Sequence, residues 1–172
     1  MYKAVSSEDV FVRILVDGLN TVSQRQMTVS GGTRGAYIEA AQNPEGDYVV
    51  APRVSLEEAR AWVVTKGTRN PVQALGFYDA NLTSDTVRRF RIVDADESAA
   101  ARKNYTEQIG LITVAFYKGV SPSSAPRGIG TGMHKVENTR IERYEGDKVP
   151  GDLIAVYNIR YMTPEMLKQT VK

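Results

Sequence analysis

The chain has 172 residues, enough for one domain with a buried core. Apolar residues make up 42% and charged residues 24%, and 22 basic side chains against 20 acidic ones leave a net charge of only +2. That balance argues against intrinsic disorder and against a strongly electrostatic nucleic-acid binder, and the absence of cysteine excludes disulfides, thiolate nucleophiles and cysteine-ligated metals.

Val10 to Val16 alternates, with Val10, Val12, Ile14 and Val16 on one face and Phe11, Arg13 and Leu15 on the other. Followed by Asp17-Gly18, this predicts a strand entering a hairpin, with residues 21–29 as its partner and Ser30 to Gly35 as a loop. Residues 36–52 read as strand, turn and strand around Asn43-Pro44-Glu45-Gly46-Asp47. Ser55 and Glu58 have capping-box spacing, so one or two helical turns are expected to feed a strand at Trp62 to Thr65. Strands are also expected over 73–80 and 86–94, then a small helix or ordered loop over 95–108.

Residues 108–119 are apolar on both faces and predict a central strand. Residues 120–132 form a Pro/Ser/Gly loop, expected to be flexible. A polar, edge-like strand is expected over 133–146 and another strong strand over 152–162. Thr163-Pro164-Glu165 opens a terminal helical extension over 163–172: a capping hydroxyl, proline at the first helical position, acid in the first turn. The expected fold is therefore mainly β: one domain over 1–172, an antiparallel β-sandwich or jelly-roll-like domain with a short C-terminal helix.

Four segments could carry chemistry. Gly128, Gly130 and Gly132 precede the only histidine, His134, but a dinucleotide loop needs Gly-x-Gly-x-x-Gly before a helix, and a Walker loop needs a Gly-Lys-Ser/Thr end. A flexible connection is expected instead, and His134, without a second histidine, is expected to be an isolated polar-strand residue. Asp94, Asp96 and Glu97 look superficially like a calcium or magnesium loop, yet Ala99-Ala100-Ala101 follows where further ligands would be needed, so a capped loop or helix start is expected. Arg88, Arg89 and Arg91 form a basic strand that could meet an anion, with Arg89 and Arg91 on one face and Arg88 with Phe90 on the other. No catalytic, cofactor-binding or metal-binding residue is assigned, and no cofactor is expected.

"VRILVDG" (12–18), "RRFRIVDAD" (88–96), "IGLITVAFYKG" (109–119) and "LIAVYNIRYMTPEMLK" (153–168) together resemble a largely fungal family of uncharacterised proteins, a domain of unknown function. The resemblance implies a β-sandwich with a closing strand and a short helix carrying a leucine, here Leu167, and no assigned enzyme activity. In that family a histidine often lies where His134 does, and the region around it is linker-like. Tyr157 and Ile159 depart from the family's phenylalanines, and arginine precedes rather than follows Tyr161.

The expected function is a non-enzymatic structural or protein-interaction module, such as a subunit of a virion shell or penton. Faces bearing Tyr37, Phe77 or Tyr78 would then be buried between subunits. A protein partner or self-association is expected, and nucleic acid is not. The alternative is a ligand-binding, lectin-like sandwich taking a small molecule among end loops such as 30–35 and 121–132. Arg13 and Asp17 bracket the only apolar run near the start, and no apolar run approaches the about 18 residues of a membrane span. The expectation is an intracellular protein, cytoplasmic or nuclear, or a virion component if viral, with no signal peptide and no membrane span.

Overall fold

The computed structural model describes residues 7–29, 33–39, 53–55, 60–68, 74, 76–79, 86–121 and 142–170. Two residues make the first turn. β1 (Val10–Val16) ends at Asp17-Gly18 and β2 (Leu19–Asn20) returns beside it, with Val16 opposite Leu19. Asp17 and Gly18 have φ of 53° and 79°, the paired positive values that a type I′ hairpin turn requires. A Cβ on Gly18 would also lie 3.0 Å from the Gln108 amide oxygen, so this position favours glycine twice over.

In chain order follow β3 (Thr33–Glu39), β4 (Arg53–Ser55), β5 (Ala61–Val64), β6 (Gly76–Asp79) and β7 (Thr86–Arg89). Two 3-10 turns, Ala95–Glu97 and Ala101–Lys103, lead into β8 (Leu111–Val120). β9 (Glu142–Arg143), β10 (Val149–Met162) and the helix α1 (Pro164–Thr170) complete the order. The fold is mainly β with one short C-terminal helix, as the alternation and the Thr163-Pro164 signal lead one to expect. The Thr163 hydroxyl accepts the Met166 amide at 3.4 Å, and the Thr163 carbonyl accepts the Leu167 amide.

Eight strands form one sheet in the order β3-β10-β8-β1-β5-β4-β9, with β2 beside β1, and β6 and β7 form a separate hairpin. The middle of the large sheet is antiparallel, and its outermost pairs, β3 with β10 and β4 with β9, are parallel. Among the described residues the layer laid on the large sheet is the β6–β7 hairpin rather than a second full sheet. β8, apolar on both faces, runs between β1 and β10, an interior place that its sequence predicted.

The two faces of β1 build two cores. Val12 packs with Trp62, Val22, Tyr78 and Val87, flanked by Val10, Ile14, Val114 and Phe116. On the opposite face Phe11 packs with Ala61 and Val63, and the Tyr144 ring meets it edge-on at 5.4 Å. Tyr78 thus belongs to the chain's own core at 2% exposure, which corrects the expectation that it lies between subunits. Phe77 is half-buried against Phe90, also edge-on at 5.4 Å, and the side chain of Tyr37 lies outside what is described.

Residues 21–29, expected as a strand, instead form a knot around Asn20. The buried Asn20 side chain accepts the amides of Val22 (2.8 Å) and Ser23 (3.2 Å) and donates to the Arg60 carbonyl (3.1 Å). An asparagine that offers the chain local hydrogen bonds competes with strand pairing, and here it wins. The knot places the small hairpin: the Thr21 carbonyl accepts the Tyr78 amide at 2.7 Å, and the Gln24 side chain donates to the Tyr78 carbonyl at 3.0 Å. The Thr21 hydroxyl accepts the buried Trp62 indole N–H at 2.8 Å, so the largest aromatic of the core leaves no unsatisfied donor.

Other expectations shift in detail. Thr33 to Gly35 belong to β3 rather than to a loop, Ser55 closes β4 rather than capping a helix, and β7 stops at Arg89 rather than running to Asp94. The polar edge strand is Glu142–Arg143, paired with β4; the turn at 43–47 and residues 56–59 and 133–141 lie outside the described residues. Truncating Asn20 to alanine removes the acceptor of one buried and one half-buried amide and the donor to the Arg60 carbonyl, so Asn20→Ala should cost about 3 kcal/mol, whereas Ser23→Ala should cost under about 0.5 kcal/mol. Urea denaturation of the two variants checks the difference.

Candidate functional site

β1 is held at both ends by an aspartate that accepts a tyrosine hydroxyl. At the turn end, Asp17 Oδ1 accepts Tyr161 Oη–H at 2.6 Å and the Gly110 amide at 2.8 Å. Backbone bonds surround this pair: the Asp17 amide donates to the Leu111 carbonyl and the Tyr161 amide to the Gly110 carbonyl, both at 2.9 Å. Gly110 has φ of 80°, which lets the chain swing from the Gln108 turn into β8 while offering both its N–H and its C=O. Three segments distant in sequence therefore converge on one carboxylate that is 7% exposed.

At the other end, Asp9 Oδ2 accepts Tyr144 Oη–H at 2.6 Å, and Asp9 Oδ1 accepts the Lys66 amide at 2.8 Å. The Asp9 carbonyl accepts the Gly119 amide at 3.0 Å, tying β8 to the same point. Lys118 and Glu8 form an exposed ion pair nearby at 3.5 Å, of little weight for stability. Between the two clasps, the Arg13 guanidinium lies 4.8 Å from the centre of the Tyr117 ring, a cation–π contact that covers the sheet face beside Phe11.

The electrostatics of both clasps favour the protonated phenol. Burial, the hydrogen bond to Asp9 and the repulsion of its charge push the Tyr144 hydroxyl up to about 12. The same three causes around Asp17 push Tyr161 further up. Each shift runs away from neutrality, opposite to what a general acid or base needs. What these pairs do chemically is hold a proton in place and bind strands together. Spacing gave no signal for them, because the partners lie 135 and 144 residues apart.

The positions singled out in the sequence fall elsewhere. Asp94, Asp96 and Glu97 are exposed around the first 3-10 turn, and among the described residues no group of three or more acidic or histidine side chains could hold a metal ion. Asp94 makes no side-chain capping bond, whereas the Ser98 hydroxyl, just after the first turn, accepts the Ala101 amide at 3.0 Å. Arg88 is half-buried and Arg89 and Arg91 are exposed, with Phe90 turned onto Phe77, as the alternation predicts. Gly128, Gly130, Gly132 and His134 lie outside the described residues, as do 30–32 and 122–132 of the two end loops. Among the described residues no helix is long and apolar enough to cross a membrane.

No family model, no curated protein and no solved structure matches the chain.

Folding raises both phenol pKa values above the unfolded value of 10.0, so their contribution is complete below pH 10.0 and fades as pH rises through the folded values. The urea midpoint should hold level up to about pH 9.5 and fall beyond it. Tyr161→Phe should lose about 1–2 kcal/mol at neutral pH and show a shallower alkaline decline. A variant that is destabilised but declines as steeply as the native chain would count against the clasp.

Proposed function

We propose that this chain is a non-enzymatic structural or protein-interaction module, a β-sheet building block that associates with its own kind as a shell subunit does. The observation that carries this reading is the doubly irregular first half of β10. Pairing with β8 shifts register between Pro150 and Leu153 and again between Leu153 and Ala155. Neighbours in a regular strand point to opposite faces, but here Leu153 and Ile154 are both exposed, at 37% and 59%. β3 pairs with β10 only from Val156 onward, so among the described residues no strand borders this stretch on its outer side.

Pro150 has no amide hydrogen to offer, and bulges discourage the addition of another strand. The stretch is therefore suited to contact through side chains rather than through backbone pairing. Two adjacent aliphatic side chains are an anchor within a larger interface, since a stable contact covers about 800 Å² per partner. The clasps support the same reading: their tyrosines keep their protons, and their aspartates are used up in holding β1.

The test is absolute mass by light scattering after gel filtration, across a range of protein concentrations. The native chain should exceed the mass of a single chain increasingly with concentration, and Ile154→Asp should suppress that rise while leaving thermal stability within about 0.5 kcal/mol of native. A native chain that stays at single-chain mass throughout, or an Ile154→Asp curve that superposes on it, would overturn the reading.

A further inference from the structure

Asp17-Gly18 is the one place in the chain where an aspartate or asparagine precedes glycine. Glycine has no side chain to hinder its nitrogen, so in open chain this is the pair most prone to rearrange. The Gly18 nitrogen attacks Asp17 Cγ, a C–N bond forms, and the carboxyl OH leaves with the amide proton as water. Water then opens the resulting succinimide at either carbonyl. One product is the original aspartate; the other is isoaspartate, in which the main chain runs through Cβ and Cγ. The step needs no oxidant or metal, and the final product has the mass of the starting chain.

In the fold, the groups that this step must move are tied. Asp17 is buried, and its Oδ1 accepts Tyr161 Oη–H at 2.6 Å and the Gly110 amide at 2.8 Å. The Asp17 amide is bonded to the Leu111 carbonyl, and the Gly18 carbonyl accepts the Met27 amide. Ring closure requires Asp17 to turn about both Cα–Cβ and Cα–C, bringing Cγ onto the Gly18 nitrogen. The first rotation releases Tyr161 and Gly110. The second swings Gly18 out of the hairpin in which Val16 faces Leu19. Gln108 narrows the remaining space, since a Cβ on Gly18 would lie 3.0 Å from its amide oxygen.

We propose that Asp17 is this chain's site of isoaspartate formation and that Tyr161 guards it, so that rearrangement proceeds only when the clasp at the turn end of β1 opens. The product cannot remake the clasp. Its backbone is longer by one carbon across a two-residue turn, and its free carboxyl sits directly on Cα. A brief local opening is thereby converted into permanent loss of the bond that joins β1 to β10. The inference goes beyond the module reading and does not depend on it.

The test is peptide mapping of isoaspartate at residue 17 after prolonged incubation in weakly acid buffer, with electron-transfer fragmentation to tell the two linkages apart. The native chain, Tyr161→Phe and Tyr144→Phe are compared, each folded and each in denaturing urea. In urea all three should rearrange at residue 17 at the same rate. Folded, the native chain should be at least about a hundredfold slower. Tyr161→Phe should be about tenfold faster than the folded native chain, because losing one hydrogen bond to a carboxylate opens the clasp about tenfold more often. Tyr144→Phe, which loosens the opposite end of β1, should stay within about twofold of native.

A folded native chain that rearranges as fast as the unfolded one overturns the guard, and urea samples without isoaspartate at residue 17 overturn the site. Equal acceleration by both variants would make global unfolding the gate, and a slower Tyr161→Phe would make the hydroxyl a helper of the leaving oxygen; either contradicts the proposal. Should Tyr161→Phe not fold, exchange of the Gly110 amide, which shares Asp17 Oδ1, takes its place. In the native chain, rearrangement and that exchange should rise in parallel as urea is added below the transition. Rearrangement that instead tracks the slowest amides of β1 overturns the guard.

Discussion

The bond from Tyr161 to Asp17 is the constraint on which the architecture turns. Asp17 must adopt a positive φ to make the hairpin, and in that position its carboxylate faces the Gly110 amide at the start of β8 and the Tyr161 hydroxyl near the end of β10. One side chain thereby sets where β1 ends, where β8 begins and how far β10 runs. The Asp9–Tyr144 pair does the same work at the opposite end, where the chain travels from the β9 edge back toward β10. Without these two pairs, the order β10-β8-β1 would lose the side-chain bonds that pin both of its ends.

A frame so held leaves its chemistry static and its variety at the periphery. Carboxylates and phenols at the ends of β1 are engaged with each other, and the knot around Asn20 uses its polar groups to seat the small hairpin. The residues with capacity to spare lie outside that frame, at the bulged start of β10 and in the extension of β7. Both are places where the chain breaks the regular strand pattern, and both leave aliphatic side chains facing water. This division between a clasped centre and an open rim is what the proposed role in contact rests on.

Much of the frame was legible in the sequence, because alternation and turn chemistry are local. The two faces of Val10 to Val16, the Asp17-Gly18 turn, the interior place of β8 and the helix start at Thr163-Pro164 all follow from neighbours within a few residues. Residues 21–29 were not legible, since their weak alternation was overruled by the hydrogen bonds that Asn20 gathers. The strand at 86–94 was half legible: the residues favour β-structure throughout, but β6 offers a partner only up to Gly76. The parallel pairing of β3 with β10 and both tyrosine clasps join residues more than a hundred positions apart, where no short pattern reaches. The glycine-rich stretch before His134, which drew the eye in the sequence, lies outside the described residues and supports nothing here.

The measurement that bears most directly on a clasped centre with an adhesive rim is amide hydrogen exchange at low and at high protein concentration. The amides of β1 and of the middle of β8 should exchange slowest, at a rate independent of concentration, because only global unfolding exposes them. Those of Leu153 to Ala155 should exchange fast in dilute protein and more slowly as concentration rises. Exchange at the rim that ignores concentration, or β1 amides that exchange as fast as those of the edge strands, would contradict the account.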